Sequence, residues 1–393
     1  MFLAPISKAV PKGASNSSQS KSRPHDVKML ANRLSIFLVV LALAASAGRA
    51  IAQSTPPQFD DLAARAAAAR DSGNLPQAID LYNQAEQLKP DWAEGWFYLG
   101  LLQYNSNSFQ PAIEAFNHFL QLQPNAPPAM ALRGLCEFET AAYDDALRDL
   151  DTAVNKGAAN EPRNEQIIRY HLAQLLARDG RFQDALTQYQ FFAVKQMDDP
   201  DLLLGIGLAG MRSTALPKDI PANARPILEE AGRAGYVFLS GDSQGGDTAF
   251  RQLFDRYPKM PNLHFFFGIL LFTHAPDLAI PQFQDEVAIS PSNAAAHAIL
   301  GYSLMMIGRF EEAKPEAELA LAGAPGMDMA KIALGHALAE TGDPARAAEL
   351  LNQVLQGDPN NLEAHLGLAA LYSRTGNREE ASRERKLCLN MAR

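Results

Sequence analysis

Seven alanines stand in two runs at a fixed interval of 34 residues: Ala78, Ala112 and Ala146, then Ala279, Ala313, Ala347 and Ala381. Other positions keep the same phase. Four residues after these alanines come Tyr82, Phe116, Leu150, Phe283, Ala317 and Leu351, and twelve after them come Pro90, Pro124, Pro291, Pro325 and Pro359. Upstream, Trp96-x2-Leu99-Gly100 and His297-x2-Leu300-Gly301 fill the front half of the unit, with Leu334-Gly335 in the next. A period of this length describes one supersecondary unit that cannot bury its apolar surface alone, so successive units must stack.

The unit reads as two helices. Ala78, Tyr82 and Ala85 make an apolar stripe at helical spacing on the second helix. Small residues at Gly100, Gly134 and Gly301 allow the two helices to approach closely. Pro90, Pro124 and Pro359 fall just past the second helix, where a missing N–H costs least. Gly73, Gly180, Gly308, Gly342 and Gly376 mark the turn between the helices. The pattern predicts units at 59–92, 93–126, 127–160, 166–199, 260–293, 294–327, 328–361 and 362–393. The unit at 260 is one residue short in its turn, His274-Ala275-Pro276-Asp277.

These positions resemble the tetratricopeptide repeat, whose unit is W-x2-L-G-x2-Y, then A-x3-F, then P. The resemblance covers 59 to about 199 and 260 to 393. It implies an all-α, right-handed solenoid of antiparallel helix pairs, about eight or nine units long with one degenerate central unit. It also implies a concave groove, lined by the outward positions of each first helix, that binds a protein or peptide. Those positions are Phe97, Leu101, Tyr104 and Asn105; Phe138 and Glu139; and Tyr170, Gln174 and Arg178. In the C-terminal part they are Tyr302, Met305 and Met306; Ile332, His336 and Glu340; and Ser373 and Arg374. Tyr, Phe and Met suit recognition through contact area and adaptability. The carboxylate clamp of chaperone-binding members is not matched, because Ala63, Ala67 and Tyr98 stand where that clamp needs polar and basic groups.

Residues 200–259 break the phase between an N-terminal block at 53–199 and a C-terminal block at 260–393. Leu202 to Arg212 reads as one helix, Ser213 to Ala224 as a Pro-containing loop, and Arg225 to Leu239 with Asp247 to Tyr257 as a further helical pair. Ala249, with Leu253 after it and Pro261 beyond, marks this pair as a degenerate unit in a distorted joint.

The N-terminus carries an address. Residues 1–28 are rich in Ser, Lys and Pro and read as disordered, or as lying ahead of the true start at Met29, since such a lead is long for an n-region. Lys28 and Arg33 precede an apolar run from Leu34 to Ala47, which is shorter than the ~20 residues of a membrane span. Ala50-Ile51-Ala52 is a small-residue cleavage signal. The expectation is a signal peptide at 29–52, Gln53 as mature terminus, and a periplasmic or extracellular location. No Cys follows the apolar run to take a lipid anchor.

Composition narrows the chemistry. The chain has 35 Lys and Arg against 44 Asp and Glu, and residues 1–52 hold seven of the basic groups and one acid, so the mature chain carries −15. That balance disfavours nucleic acid and anionic membranes, and no transmembrane span is expected in the mature chain. The two cysteines, Cys136 and Cys388, cannot build a disulfide framework and read as small buried hydrophobes. His118, His171, His264, His274, His297, His336 and His365 show no metal-ligand spacing. His297 and His365 take the place of the repeat's Trp and read as packing residues, whereas His264 and His336 fall on the groove face. Asp144, Asp145, Asp149 and Asp151 surround a helix start and read as a solvated face.

Gly241-Asp242-Ser243-Gln244-Gly245 matches the G-x-S-x-G nucleophile elbow and follows Tyr236-Val237-Phe238-Leu239, which could form a strand. An elbow needs a sheet, an oxyanion donor and a His with an acid, and the chain offers no further strands, so a flexible inter-helix loop is the better reading. The sequence therefore predicts a non-catalytic scaffold or adaptor with no cofactor and no metal. Its alternatives are a structural subunit of an envelope assembly and, less favoured, a hydrolase centred on Ser243.

Overall fold

A computed structural model describes residues 57–158, 162–273 and 275–391. The expected leader, its cleavage site and His274 lie outside the described residues.

Helix starts follow from side chains that replace missing backbone partners. Asn74, Asp242, Asn293, Asp343 and Asn361 each accept a hydrogen bond from the N–H three residues on, at 2.8–3.4 Å. Each such cap is worth about 1 kcal/mol. The five predicted turn glycines all adopt positive φ, from 74° at Gly73 to 111° at Gly342. There a Cβ would be strained. In two turns an L-residue bears that conformation instead, Asn107 at 58° and Ala141 at 62°.

Nineteen α-helices and no strands are found among the described residues. The chain divides into two compact units. The N-terminal array holds four helix pairs: α1 Pro57–Asp71 with α2 Leu75–Leu88, α3 Ala93–Asn105 with α4 Phe109–Leu122, α5 Pro127–Glu139 with α6 Tyr143–Asn155, and α7 Pro162–Arg178 with α8 Phe182–Val194. Helix α9, Pro200–Gly210, follows without a second helix, and Ser213–Arg225 also belongs to this unit.

The C-terminal array comprises five pairs. They are α10 Arg225–Leu239 with α11 Ser243–Arg256, α12 Leu263–Phe272 with α13 Pro276–Ile289, α14 Ala294–Met306 with α15 Phe310–Gly323, α16 Asp328–Thr341 with α17 Pro344–Gly357, and α18 Leu362–Arg374 with α19 Arg378–Met391. The first residue of α10 and the last of α9 cross the division: Arg225 groups with the N-terminal unit, Gly210–Arg212 with the C-terminal one.

The phase-keeping positions make the core. Ala78, Ala112, Ala146, Ala279, Ala313 and Ala347 are fully buried, and so are Phe116, Leu150, Phe283 and Leu351 four residues on. A Cβ added to Gly100 would lie 2.8 Å from the Phe116 ring, at Gly134 2.9 Å from Leu150, at Gly268 2.5 Å from Phe283 and at Gly335 2.7 Å from Leu351. The glycine of each first helix thus receives the large residue of its second. Where that residue is Ala317, the backbones themselves close up, and a Cβ on Gly301 would meet Ala317 N at 3.1 Å and Ala313 O at 3.2 Å. Interiors tolerate no voids of methylene size, so pairwise size matching sets the helix spacing.

The pair α10–α11 corrects the sequence reading at Ala249. Ala249 is only half-buried, whereas Gly246 is buried and Phe250 fully so. The repeat register is therefore Gly246, then Phe250 four residues on, then Pro258 twelve on, three positions earlier than expected. Gly246 packs on Phe238, and Arg256 reaches Glu230 at 2.5 Å at the other end, as an antiparallel pair requires. The degenerate unit is a small-for-small substitution of Gly for Ala.

Between the pairs of one array, the first helices of successive units also touch each other: α3 with α5, α5 with α7, α14 with α16, and α16 with α18. First helices therefore line the inner side of each array.

Candidate protein-interaction face

The groove residues divide sharply by burial. Phe97, Leu101, Tyr104, Phe138, Gln174, Tyr302, Met305 and Ile332 are buried. Asn105, Tyr170 and His336 are half-buried, and Met306 is exposed, at 60%.

The physical reason is packing within each pair and between successive pairs. Phe97 lies 5.3 Å from Phe119 and 6.2 Å from Phe116, ring centre to ring centre. Phe138 meets His171 of the next first helix edge-on at 4.7 Å, and Tyr302 packs beside Phe272 of the preceding one at 6.2 Å. Burial raises the Tyr104 hydroxyl well above its usual range, with Cys136 and Glu139 of the next first helix adding to it. Burial also lowers His171 and His336, whose ring nitrogens donate to Ile167 O at 2.8 Å and Glu363 O at 2.9 Å. Side chains expected to greet a partner instead fill their own pair, as Phe97 does, or join it to the next, as Phe138 and Tyr302 do. Positions that remain exposed on the inner side cluster at the C-terminal ends of first helices: Glu139 and Arg178 in one array, and Met306, Glu340, Ser373 and Arg374 in the other.

Several polar predictions are corrected too. Asp149 is no solvated acid: it is 6% exposed and takes two hydrogen bonds from the Arg133 guanidinium at 2.6 and 2.9 Å. Arg133 also reaches Asn117 of the preceding unit at 2.7 Å, a tie that sequence spacing does not advertise. His264 is stacked on Phe254 at 3.9 Å and hydrogen-bonded to Gln282.

The Trp position, by contrast, has a uniform role: Trp96 Nε1 donates to Pro90 O at 2.8 Å, and His297 and His365 Nε2 donate to Pro291 O and Pro359 O, both at 3.0 Å. Each reaches the carbonyl six residues back. The two imidazoles use Nδ1 as well, toward Glu316 at 2.6 Å and Glu384 at 2.5 Å.

The strand that could precede Ser243 is not formed. Tyr236–Leu239 is helical, and Ser243 opens α11 in an exposed turn whose Asp242 caps the helix through Gly245 N at 2.8 Å. The Gly-Ser-Gly run is thus an inter-helix cap. Burial pushes the Cys136 thiol up to about 12, and Cys388 is also raised and buried. Among the described residues, no group of three or more His, Cys, Asp or Glu could hold a metal ion, and no helix is long and apolar enough to cross a membrane.

One buried acid is anomalous. Glu86 is 3% exposed, and both its carboxylate oxygens lack hydrogen-bond partners. Burial, then the nearby Asp91, push its pKa up to about 8. Being above the usual 4.5, that value means the unfolded chain loses this proton first as pH rises. Stability is therefore withdrawn between about pH 4.5 and 8, by about 2–4 kcal/mol. Glu86→Gln is expected to raise the melting transition by several degrees at pH 8.5 and to leave it unmoved at pH 4. An equal gain at both pH values would contradict this account.

Family models described as "Tetratricopeptide repeat" match residues 338–384 and 167–190, and one described as "TPR repeat" matches 68–107. The chain carries tetratricopeptide repeats. The matched stretches fall in both arrays of the tetratricopeptide-repeat fold described above. No curated protein matches the chain. Among solved structures, a crystal structure of MamA is 22% identical, covering 40% of this chain and 94% of its own, with a TM-score of 0.35. The TPR domain of P58(IPK) is 13% identical over 85% of this chain and 93% of its own, at 0.28. Yeast Tom70 is 15% identical over 85% of this chain and 76% of its own, at 0.33. Tetratricopeptide-repeat arrays are protein-interaction scaffolds that use their extended concave surfaces.

Proposed function

We propose that this protein is a non-catalytic scaffold that acts after export and holds a protein partner along the first-helix face of its arrays. The observation that supports the reading is the row of solvent-exposed side chains at first-helix ends, Glu139 and Arg178 in one array and Met306 with the paired Glu340 and Arg374 in the other. They stand above neighbours committed to the core. Met306 and the adjacent Ile307, 41% exposed, add apolar area to a charged rim, the combination that recognition surfaces favour. The predicted leader supports a periplasmic or extracellular site of action, with a mature chain that begins at Gln53.

The test is affinity capture by the full chain expressed in its own envelope, with the N-terminus of the recovered protein sequenced. Capture of a reproducible partner by a chain starting at Gln53 is expected, and Met306→Glu should abolish it without moving the melting transition. Tyr104→Ala, in the core, should lower stability by about 2 kcal/mol. Loss of capture without loss of stability in Tyr104→Ala, and intact capture in Met306→Glu, would overturn the assignment of the face.

A further inference from the structure

The segment that follows α9 is shaped by the array it lies on. Helix α9 is buried almost throughout, with Leu204 and Ile206 fully so, and Gly205 lies against Tyr189 of α8. It sits where the first helix of a fifth unit belongs. No second helix follows. Ser213 N instead bonds Leu208 O at 2.8 Å, and the chain runs through Leu216 and Pro217, both buried, into a short 3-10 turn at Pro217–Asp219.

The next contacts show where it goes. Lys218 reaches back two units to Tyr143, the first residue of α6, its ammonium 5.4 Å from the ring centre and hydrogen-bonded to that side chain. Tyr143 is already framed by Phe138 edge-on at 5.6 Å and by Arg178 over its ring at 4.7 Å. Seven residues later Arg225 is at the opposite end of α9, 3.6 Å from Asp201. There it also donates to Pro217 O at 3.0 Å, pinning the loop, and its charge is felt by Tyr170 of α7. The segment thus reaches Tyr143 of α6 at one point and Asp201 of α9 at another, spanning the α7–α8 pair that lies between them in the array.

We propose that Ser213–Arg225 is an intramolecular ligand of the N-terminal array, occupying the first-helix face over α5–α7, and that the face takes from outside a turn-forming segment with the same apolar–Pro–Lys chemistry. Leu216 and Pro217 supply the buried part, and Lys218 supplies a cation for the aromatic of Tyr143. The prolines at 217 and 221 restrict the free segment's φ in advance, so it loses less conformational freedom on docking, which suits it to displacement by a like segment. The array is then closed at rest and opens when the connector is exchanged. This deepens the reading of the face as an interaction surface, but its test needs no outside partner, so a blank capture experiment leaves it standing.

The test uses the full chain and a labelled synthetic peptide of residues 213–225. In the variant Leu216→Ser, Pro217→Gly, Lys218→Ser the tether is released. That variant is expected to bind the peptide at least tenfold more tightly than the parent, and adding Tyr143→Ala should cancel the gain. Amide exchange in 138–143 and 170–178 should rise in the released variant and fall again when peptide is added. The milder Lys218→Ala changes one exposed side chain and so remains folded. It should show a several-fold gain of its own. Equal peptide affinity in the parent and in both variants, or exchange in 138–178 unmoved by Lys218→Ala and by the triple change alike, would overturn the proposal.

Discussion

Phe116→Ala is expected to lower stability by about 3–5 kcal/mol, because the ring is fully buried and fills the space above Gly100. Collapse of the cavity is resisted, since Phe97 and Phe119 hold each other at 5.3 Å. In an array each unit contacts only its neighbours, so the loss falls first on α3–α4 and the pairs beside it. Amide exchange should therefore accelerate there, with little change at α16–α17. A reciprocal variant separates size matching from simple loss of apolar area. Gly100→Ala places a methyl 2.8 Å from the ring and should destabilise the parent, yet cost much less when residue 116 is already alanine. Residues in direct contact couple by about 0.5–3 kcal/mol. Additive costs from thermal or denaturant unfolding would refute the account in which the glycine exists to receive the ring.

The array was legible because its signals are local and repeat. Ala78 to Ala146 and Ala279 to Ala381 keep one phase, and turn glycines such as Gly342 sit where the chain must pass through positive φ. The unit at α10–α11 was read three residues out of register because glycine took the small position. Gly246, Phe250 and Pro258 carry the same spacing as Ala112, Phe116 and Pro124, so the signal was present once Gly counted as Ala.

The face was less legible, for a geometric reason. A repeat pattern gives the azimuth of a residue on its helix but not how closely the next first helix approaches. Phe138 and Tyr302 point to the inner side and are still buried, because His171 and Phe272 on neighbouring first helices close over them. Only residues at the helix ends, such as Met306 and Arg178, escape that closure. Long-range polar ties were invisible for a related reason. Nothing in the spacing of Arg133, Asn117 and Asp149 distinguishes a buried bidentate pair from a solvated one.

His365→Ala is expected to cost about 3–5 kcal/mol, since it strips a buried carboxylate of its partner. The imidazole is 8% exposed and Glu384 is 11% exposed; they meet at 2.5 Å, while Nε2 holds Pro359 O at 3.0 Å. Removing the ring leaves two acceptors, one of them a carboxylate, without donors in a place water barely reaches. The equivalent His297→Ala should cost less, because Glu316 is 23% exposed and can be rehydrated. The site of damage should differ as well. Among the described residues helix α19 packs chiefly on α18, which carries His365, so His365→Ala should free it locally, with amide exchange over 378–391 rising far more than over α14–α15. His365→Trp tests the roles of the two nitrogens separately. The indole of Trp96 already makes the carbonyl bond in its own unit at 2.8 Å, so Trp at 365 should keep that bond and abandon Glu384. A further change, Glu384→Leu, should then restore most of the stability, since an apolar side chain replaces the stranded carboxylate. If His365→Trp alone were as stable as the parent, the carboxylate pairing would contribute nothing and the carbonyl bond would be the whole role of this position.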